Sequence, residues 1–199
     1  MKYIKVFENH SQYQEAESNL ILPNVSYCVQ ENEVHYNPLP QPFFCKLTLN
    51  DNSVVEIEGS GELTNAMTVD YKTTCVSAEI GELCTSIGVR GFAGFYALTS
   101  ATIGDSVTSI GEYAFTHCSA NNFVSIEIPS SVTTISASAF EECYNLTNVT
   151  IHAVNPPTLS DYVFYDTSVN NIYVPAASVD TYKAASGWSS YASRIQAIP

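Results

Sequence analysis

The sequence predicts a mainly β chain with short helical turns, wound as a repeat solenoid with a cap at each end. Three in-register columns of apolar residues predict it. Ile87, Ile110, Ile135 and Leu159 are separated by 23, 25 and 24 residues, and Phe92, Phe115, Phe140 and Phe164 by the same intervals. The third column, Ile80, Ile103, Ile128, Ile151 and Val174, steps by 23, 25, 23 and 23. A unit of this length cannot bury its apolar face alone, so copies stack and share one core.

Each unit opens on a strand. LTSATI, FVSIEI, LTNVTI and VNNIYV place apolar or small residues at positions one, four and six, with polar ones between. A turn, GDS or PSS, leads into an extended β-branched stretch, VTSIG or VTTIS, and the Ala-Phe pair after it predicts a tight helical or 3-10 turn. Pro129 and Pro175 stand at strand exits, where a missing N–H is tolerated. The 25-residue step has a local cause: THCSANN, before Phe123, carries two more residues than EECYN after Phe140, which predicts a loop insertion.

The repeating pattern in IGEYAFTHC and ISASAFEECYNLTNVTI resembles the BspA-like leucine-rich repeat. The resemblance implies a leucine-rich-repeat solenoid over residues 78–175 and a C-terminal cap over 176–199. Val89, Arg90 and Phe95 depart from the pattern in the first coil. In the cap, Ser178 is the expected helix N-cap, Gly187 the helix stop, and Trp188 a cover for the last coil, with ligand stacking as its other reading.

Before the repeats, residues 41–77 predict an N-terminal cap for the solenoid. FFCKLTLNDNSVVEIEG alternates about Asn-Asp-Asn-Ser as a hairpin, and SGELTNAMTVDYK reads as a short helical segment. Residues 1–40 predict a small α+β module with a strand at Tyr3 to Phe7 and a helix from Gln12 to Ser18. Ser11 and Gln14 form its capping box, and a hairpin follows in VSYCVQENEVHYN. LPNVSYCVQENEVHYNP resembles a module that precedes repeat or sheet domains in surface and phage-like proteins of gut bacteria. The proline-rich NPLPQPF predicts an extended connection.

Twenty acidic residues against seven basic ones give a formal charge of −13, which repels phosphate backbones and anionic lipid. Nucleic acid is therefore not expected as a partner, and membrane insertion is not expected because no stretch approaches the roughly 18 to 20 apolar residues of a span. The first twenty residues have no apolar run of signal-peptide type, although the resemblance implies an extracellular, cell-surface or virion-associated setting. The six cysteines form no CxxC or Cys/His cluster, so no metal is expected. Cys118 and Cys143 share one repeat position, either as buried thiols stacked in a ladder or as a disulfide between neighbouring coils.

No GxSxG, HExxH, P-loop or dinucleotide fingerprint occurs, and neither an enzyme nor a cofactor is expected. Glu79 and Glu127 fall in one column two coils apart, about 9.5 Å at paired-strand spacing, a separation that touches the inverting-glycosidase range of roughly 6.5–9.5 Å. Two exposed carboxylates on a solvated strand face are equally ordinary. The expected function is a binding or adhesion-type module that contacts protein or glycan, weakly or multivalently; the alternative is a structural spacer. Its candidate surface is the outward strand face: Glu79, Thr102, Glu127, Thr150 and Tyr173 in one column, with Ser100, Ser125, Asn148 and Asn171 in the next. Five strands span only about 20 Å across the stack, so a tight one-to-one grip is not expected.

Overall fold

The computed structural model describes residues 25–30, 33–38 and 41–199. The chain divides into two compact units, 1–42 and 43–199. In the first, β1 (Val25–Gln30) and β2 (Glu33–Pro38) pair antiparallel, with Gln30 opposite Glu33, as the alternation predicts. The strand expected at Tyr3 to Phe7 and the helix at Gln12 to Ser18 lie outside the described residues.

The second unit is mainly strand with few short helices. It begins with β3 (Cys45–Leu49) and β4 (Val54–Ile57), an antiparallel hairpin. Its turn is held by Asp51, whose carboxylate accepts from the Ser53 amide (2.9 Å) and hydroxyl (2.6 Å), while Asn52 takes a left-handed φ of 66°. The next segment departs in part from expectation: Gly61–Leu63 is not helical but a strand, β5, and the helical part is Asn65–Thr68, α1, continued by a 3-10 turn at Val69–Tyr71. The reason is long-range, because β5 pairs in parallel with β7 (Cys84–Ile87) and sets Leu63 opposite Ile87 in the core.

The repeat units, or coils, follow. Strands β6 (Cys75–Ile80), β8 (Ser100–Ile103), β10 (Ser125–Ile128), β12 (Asn148–Ile151) and β14 (Asn171–Val174) occupy one side. The second side holds β7, β9 (Ser109–Ile110), β11 (Thr134–Ile135) and β13 (Thr158–Leu159), which pair in parallel in the order β5, β7, β9, β11, β13. Ile87, Ile110 and Ile135 are fully buried, as are Ile128, Ile151 and Val174. The phenylalanines stack face to face, with ring centroids 5.2 Å apart for Phe92 and Phe115, 5.3 Å for Phe115 and Phe140, and 5.7 Å for Phe140 and Phe164. Spacing alone placed these columns inside, and all three pack there.

The third side is not helical. Amides alternate: Ala114, Thr116 and Cys118 close local turns onto Gly111, Tyr113 and Phe115, while Tyr113, Phe115 and His117 donate to Ala137, Ala139 and Glu141 of the next coil. A helix would consume the second set internally and leave the coils unlinked on this side. The alternation requires left-handed backbone at Arg90, Tyr113, Ser138 and Tyr162, and again at Gly94, His117, Glu142 and Asp166. Only the first coil has glycine at the second position. Close approach also fixes Gly111, where a Cβ would lie 2.7 Å from the Gly88 carbonyl carbon and 2.8 Å from the Ile87 oxygen.

After β14, a 3-10 turn (Ala176–Ser178) leads into α2 (Val179–Ala184), a second 3-10 stretch (Trp188–Arg194) and β15 (Ile195–Ala197). Ser178 occupies the N-cap position but makes no side-chain capping bond, and its side chain is buried. Gly187, at φ 80°, lies past the helix end, at the start of the second 3-10 stretch. Trp188 is fully buried and its indole N–H donates to the Pro157 carbonyl (2.7 Å), which rules out ligand stacking by this ring. Tyr182 packs edge-on against it and donates its hydroxyl to Ala153 (2.8 Å). β15 extends the sheet beyond β14, pairing Ile195 with Ile172 in parallel.

Candidate functional site

The outward face of the first side carries the residues that the sequence nominated. Main-chain pairing fixes their columns: Ser77 lies beside Ser100 and Glu79 beside Thr102. Ser125 lies beside Asn148 and Asn148 beside Asn171, and Glu127 beside Thr150 and Thr150 beside Tyr173. Alternation along each strand sends Ile126, Ile128, Val149 and Ile151 inward and leaves these polar residues exposed or half-buried.

The column is not continuous. β6 and β8 belong to one sheet, in the order β4, β3, β6, β8, and β10, β12, β14 and β15 to another. Glu79 and Glu127 therefore lie on different sheets, and of the two paired steps that would set them about 9.5 Å apart the second, from β8 to β10, does not exist. The Glu127 side chain is 77% exposed and pairs with His152 at 3.2 Å.

Two sets of hydrogen bonds run along this face. One is an amide ladder: Asn171 Nδ2 donates to Asn148 Oδ1 (2.8 Å), and Gln196 Nε2 donates to Asn171 Oδ1 (2.8 Å). Stacked Asn at one repeat position was a usable signal for the first rung, but Gln196 joins only because β15 extends the sheet. The other is Thr at the strand heads, where Thr99 and Thr147 donate their hydroxyls to the carbonyls of Val76 and Val124 one coil earlier (2.9 and 3.1 Å). These threonines tie coil to coil and have less capacity left for a ligand.

Five cysteines of residues 43–199 are free thiols, Cys118 and Cys143 among them. Each donates to a backbone carbonyl of the preceding coil, Cys118 to Phe92 (3.3 Å) and Cys143 to Phe115 (3.0 Å). Burial pushes Cys45 up to about 12, with the neighbouring Cys84, Cys75 and Glu79 adding to the rise, and pushes Cys75 up to about 11. Thiols so held are protonated and poor nucleophiles or ligands at neutral pH. Among the described residues no group of three or more His, Cys, Asp or Glu side chains is arranged to hold a metal ion. No helix among them is long and apolar enough to cross a membrane.

The BspA type leucine rich repeat region matches residues 70–186 in six copies, more than half of the chain. The chain belongs to this family. Among curated proteins no match was found. Leucine-rich repeats generally mediate protein interactions, and the matched segment contains the whole of the strand face from β6 to β14.

Proposed function

We propose that this leucine-rich-repeat chain is a non-enzymatic, adhesion-type binding module, a capped solenoid whose outward strand face contacts a protein or glycan ligand. The observation that carries the reading is the in-register polar face of β10, β12, β14 and β15, with Glu127, Thr150, Tyr173 and Gln196 in one column and Asn148 and Asn171 in the next, the Gln196 amide reaching across to Asn171. A ladder of linked amides is pre-ordered, so less side-chain entropy is lost when a ligand accepts or donates along it. Tyr173 adds a half-buried ring with a polar tip, the kind of side chain that supplies contact energy at interfaces. The face is narrow, and weak contacts repeated over several copies on a cell surface or particle suit it better than one tight contact.

The end segments support capping. The hairpin of β3 and β4 pairs with the β6 edge, while Trp188 and Tyr182 bond to the Pro157 and Ala153 carbonyls. The test is binding of the whole chain to arrays of surface proteins and glycans, beside a variant carrying Glu127→Lys and Tyr173→Ala. Binding by the parent that the variant loses supports the reading. Silence from both returns the chain to the alternative of a structural spacer.

A further inference from the structure

At one boundary the coils part on the strand side alone. β8 and β10 face each other as unpaired edges of two sheets, although every other successive pair from β6 to β15 on this side is joined. Around the same boundary the other sides stay closed: Ser109 and Ile110 of β9 pair with Thr134 and Ile135 of β11, and Phe115 donates to Ala139 across the turns (2.7 Å). The local cause is the two-residue insertion. Thr99 and Thr147 donate their amides back to the preceding coil, at Val76 and Val124, but the Val124 amide bonds to Asn122 inside the lengthened loop (2.9 Å). Asn145 holds that loop from the next coil, donating to the Ser119 carbonyl (3.1 Å).

The parting opens a cleft of about 540 Å³ lined by Ser100, Thr102, Asp105, Ser125, Glu127 and His152 together with the β8 and β10 backbones. We propose that this cleft receives an extended, lysine- or arginine-bearing segment of a partner protein, which pairs its main chain with the free edges and sets its cation against Asp105 and Glu127. The proposal rests on the reading of this face as a protein-binding surface and names the kind of segment bound. Unpaired strand edges are templates for another extended backbone. The two carboxylates have one basic neighbour in the lining, His152, in a chain of formal charge −13. No Phe, Tyr or Trp lines the cleft to stack on a sugar, which favours peptide over glycan. A full intervening strand needs about 9.6 Å, whereas Cα atoms of β8 and β10 lie closer than 8 Å. Entry of the segment therefore parts the coils by at least about 2 Å, hinging on the β9–β11 ladder.

The probe is a set of capped heptapeptides rich in Thr and Ser with Lys, Glu or Ala at the centre, read by fluorescence anisotropy against the whole chain. The lysine series is expected to bind at least about tenfold more tightly than the glutamate series, and N-methylation of alternate peptide amides to remove binding. Deleting Asn121 and Asn122 restores the ordinary coil length and is expected to abolish binding. Asp105→Lys, a surface change that leaves the fold intact, is expected to weaken it about tenfold or more. The proposal is overturned if no series binds below millimolar concentration, if neither the deletion nor Asp105→Lys matters, or if soluble glycans displace the peptide. Array binding that depends on Tyr173 but not on Asp105 sinks the groove alone and leaves the strand-face reading standing.

Discussion

Replacing Phe140 by alanine tests the register of the whole repeat. The side chain is fully buried, with its ring 4° from parallel to Phe115 and 16° from parallel to Phe164, at centroid separations of 5.3 and 5.7 Å. Truncation removes an aromatic ring that has partners on both faces and leaves a cavity between coils. A loss of about 3 to 5 kcal/mol follows for a buried phenylalanine, and the two lost stacking contacts favour the upper part of that range. Glu127→Ala is the control: its carboxylate is largely exposed and its one ion pair is with a solvent-accessible histidine, so a change within about 0.5 kcal/mol is expected. Urea unfolding gives both values, and hydrogen exchange locates them. In Phe140→Ala the inter-coil amides of Phe115, Phe140 and Glu142 are expected to exchange first. Those of the β3–β6 ladder follow later, since repeats couple chiefly to their neighbours. Equal, small effects from the two substitutions would refute the assignment of inside and outside.

Gly111→Ala puts a methyl group against backbone that cannot move aside without separating two coils, and a loss of stability of several kcal/mol, seen as a lower thermal midpoint, is expected. Ordinary tolerance at this position would mean that the coils are spaced more loosely than described. Alkaline pH is the remaining perturbation. Burial raises Cys45, Cys75, Cys84 and Cys118 above the ordinary thiol range, so above about pH 8.5 the unfolded chain loses protons that the folded chain keeps. Their stabilising contribution is complete below that pH and is lost as pH rises toward the folded values, about 11 for Cys75 and about 12 for Cys45. Urea midpoints measured from pH 8 to 11 are expected to fall, and to fall less steeply in Cys75→Ala; an unchanged slope in that variant contradicts the account.

The sequence by itself determined what repeats. A side chain recurring every 23 to 25 residues must meet its own copies if units stack, so the columns of Ile110, Phe115 and Ile128, all fully buried, were readable from spacing. The outward columns followed from alternation, and the insertion before Phe123 was visible as two extra residues. Tertiary structure decided how main chain meets main chain, because peptide groups are the same in every residue and leave no periodic mark. It turned Gly61–Leu63 into a strand through β7, added Ile195–Ala197 beside β14, and carried Gln196 into the amide ladder. It also made the turn at Ala-Phe a ladder between coils, with left-handed residues that include Tyr113, His117 and Glu142. Above all, it decided that the insertion frees the strand side and spares the other two. The Val124 amide finds a partner within its own loop, and the competition between that local bond and the cross-coil bond is settled by geometry that no spacing of side chains records.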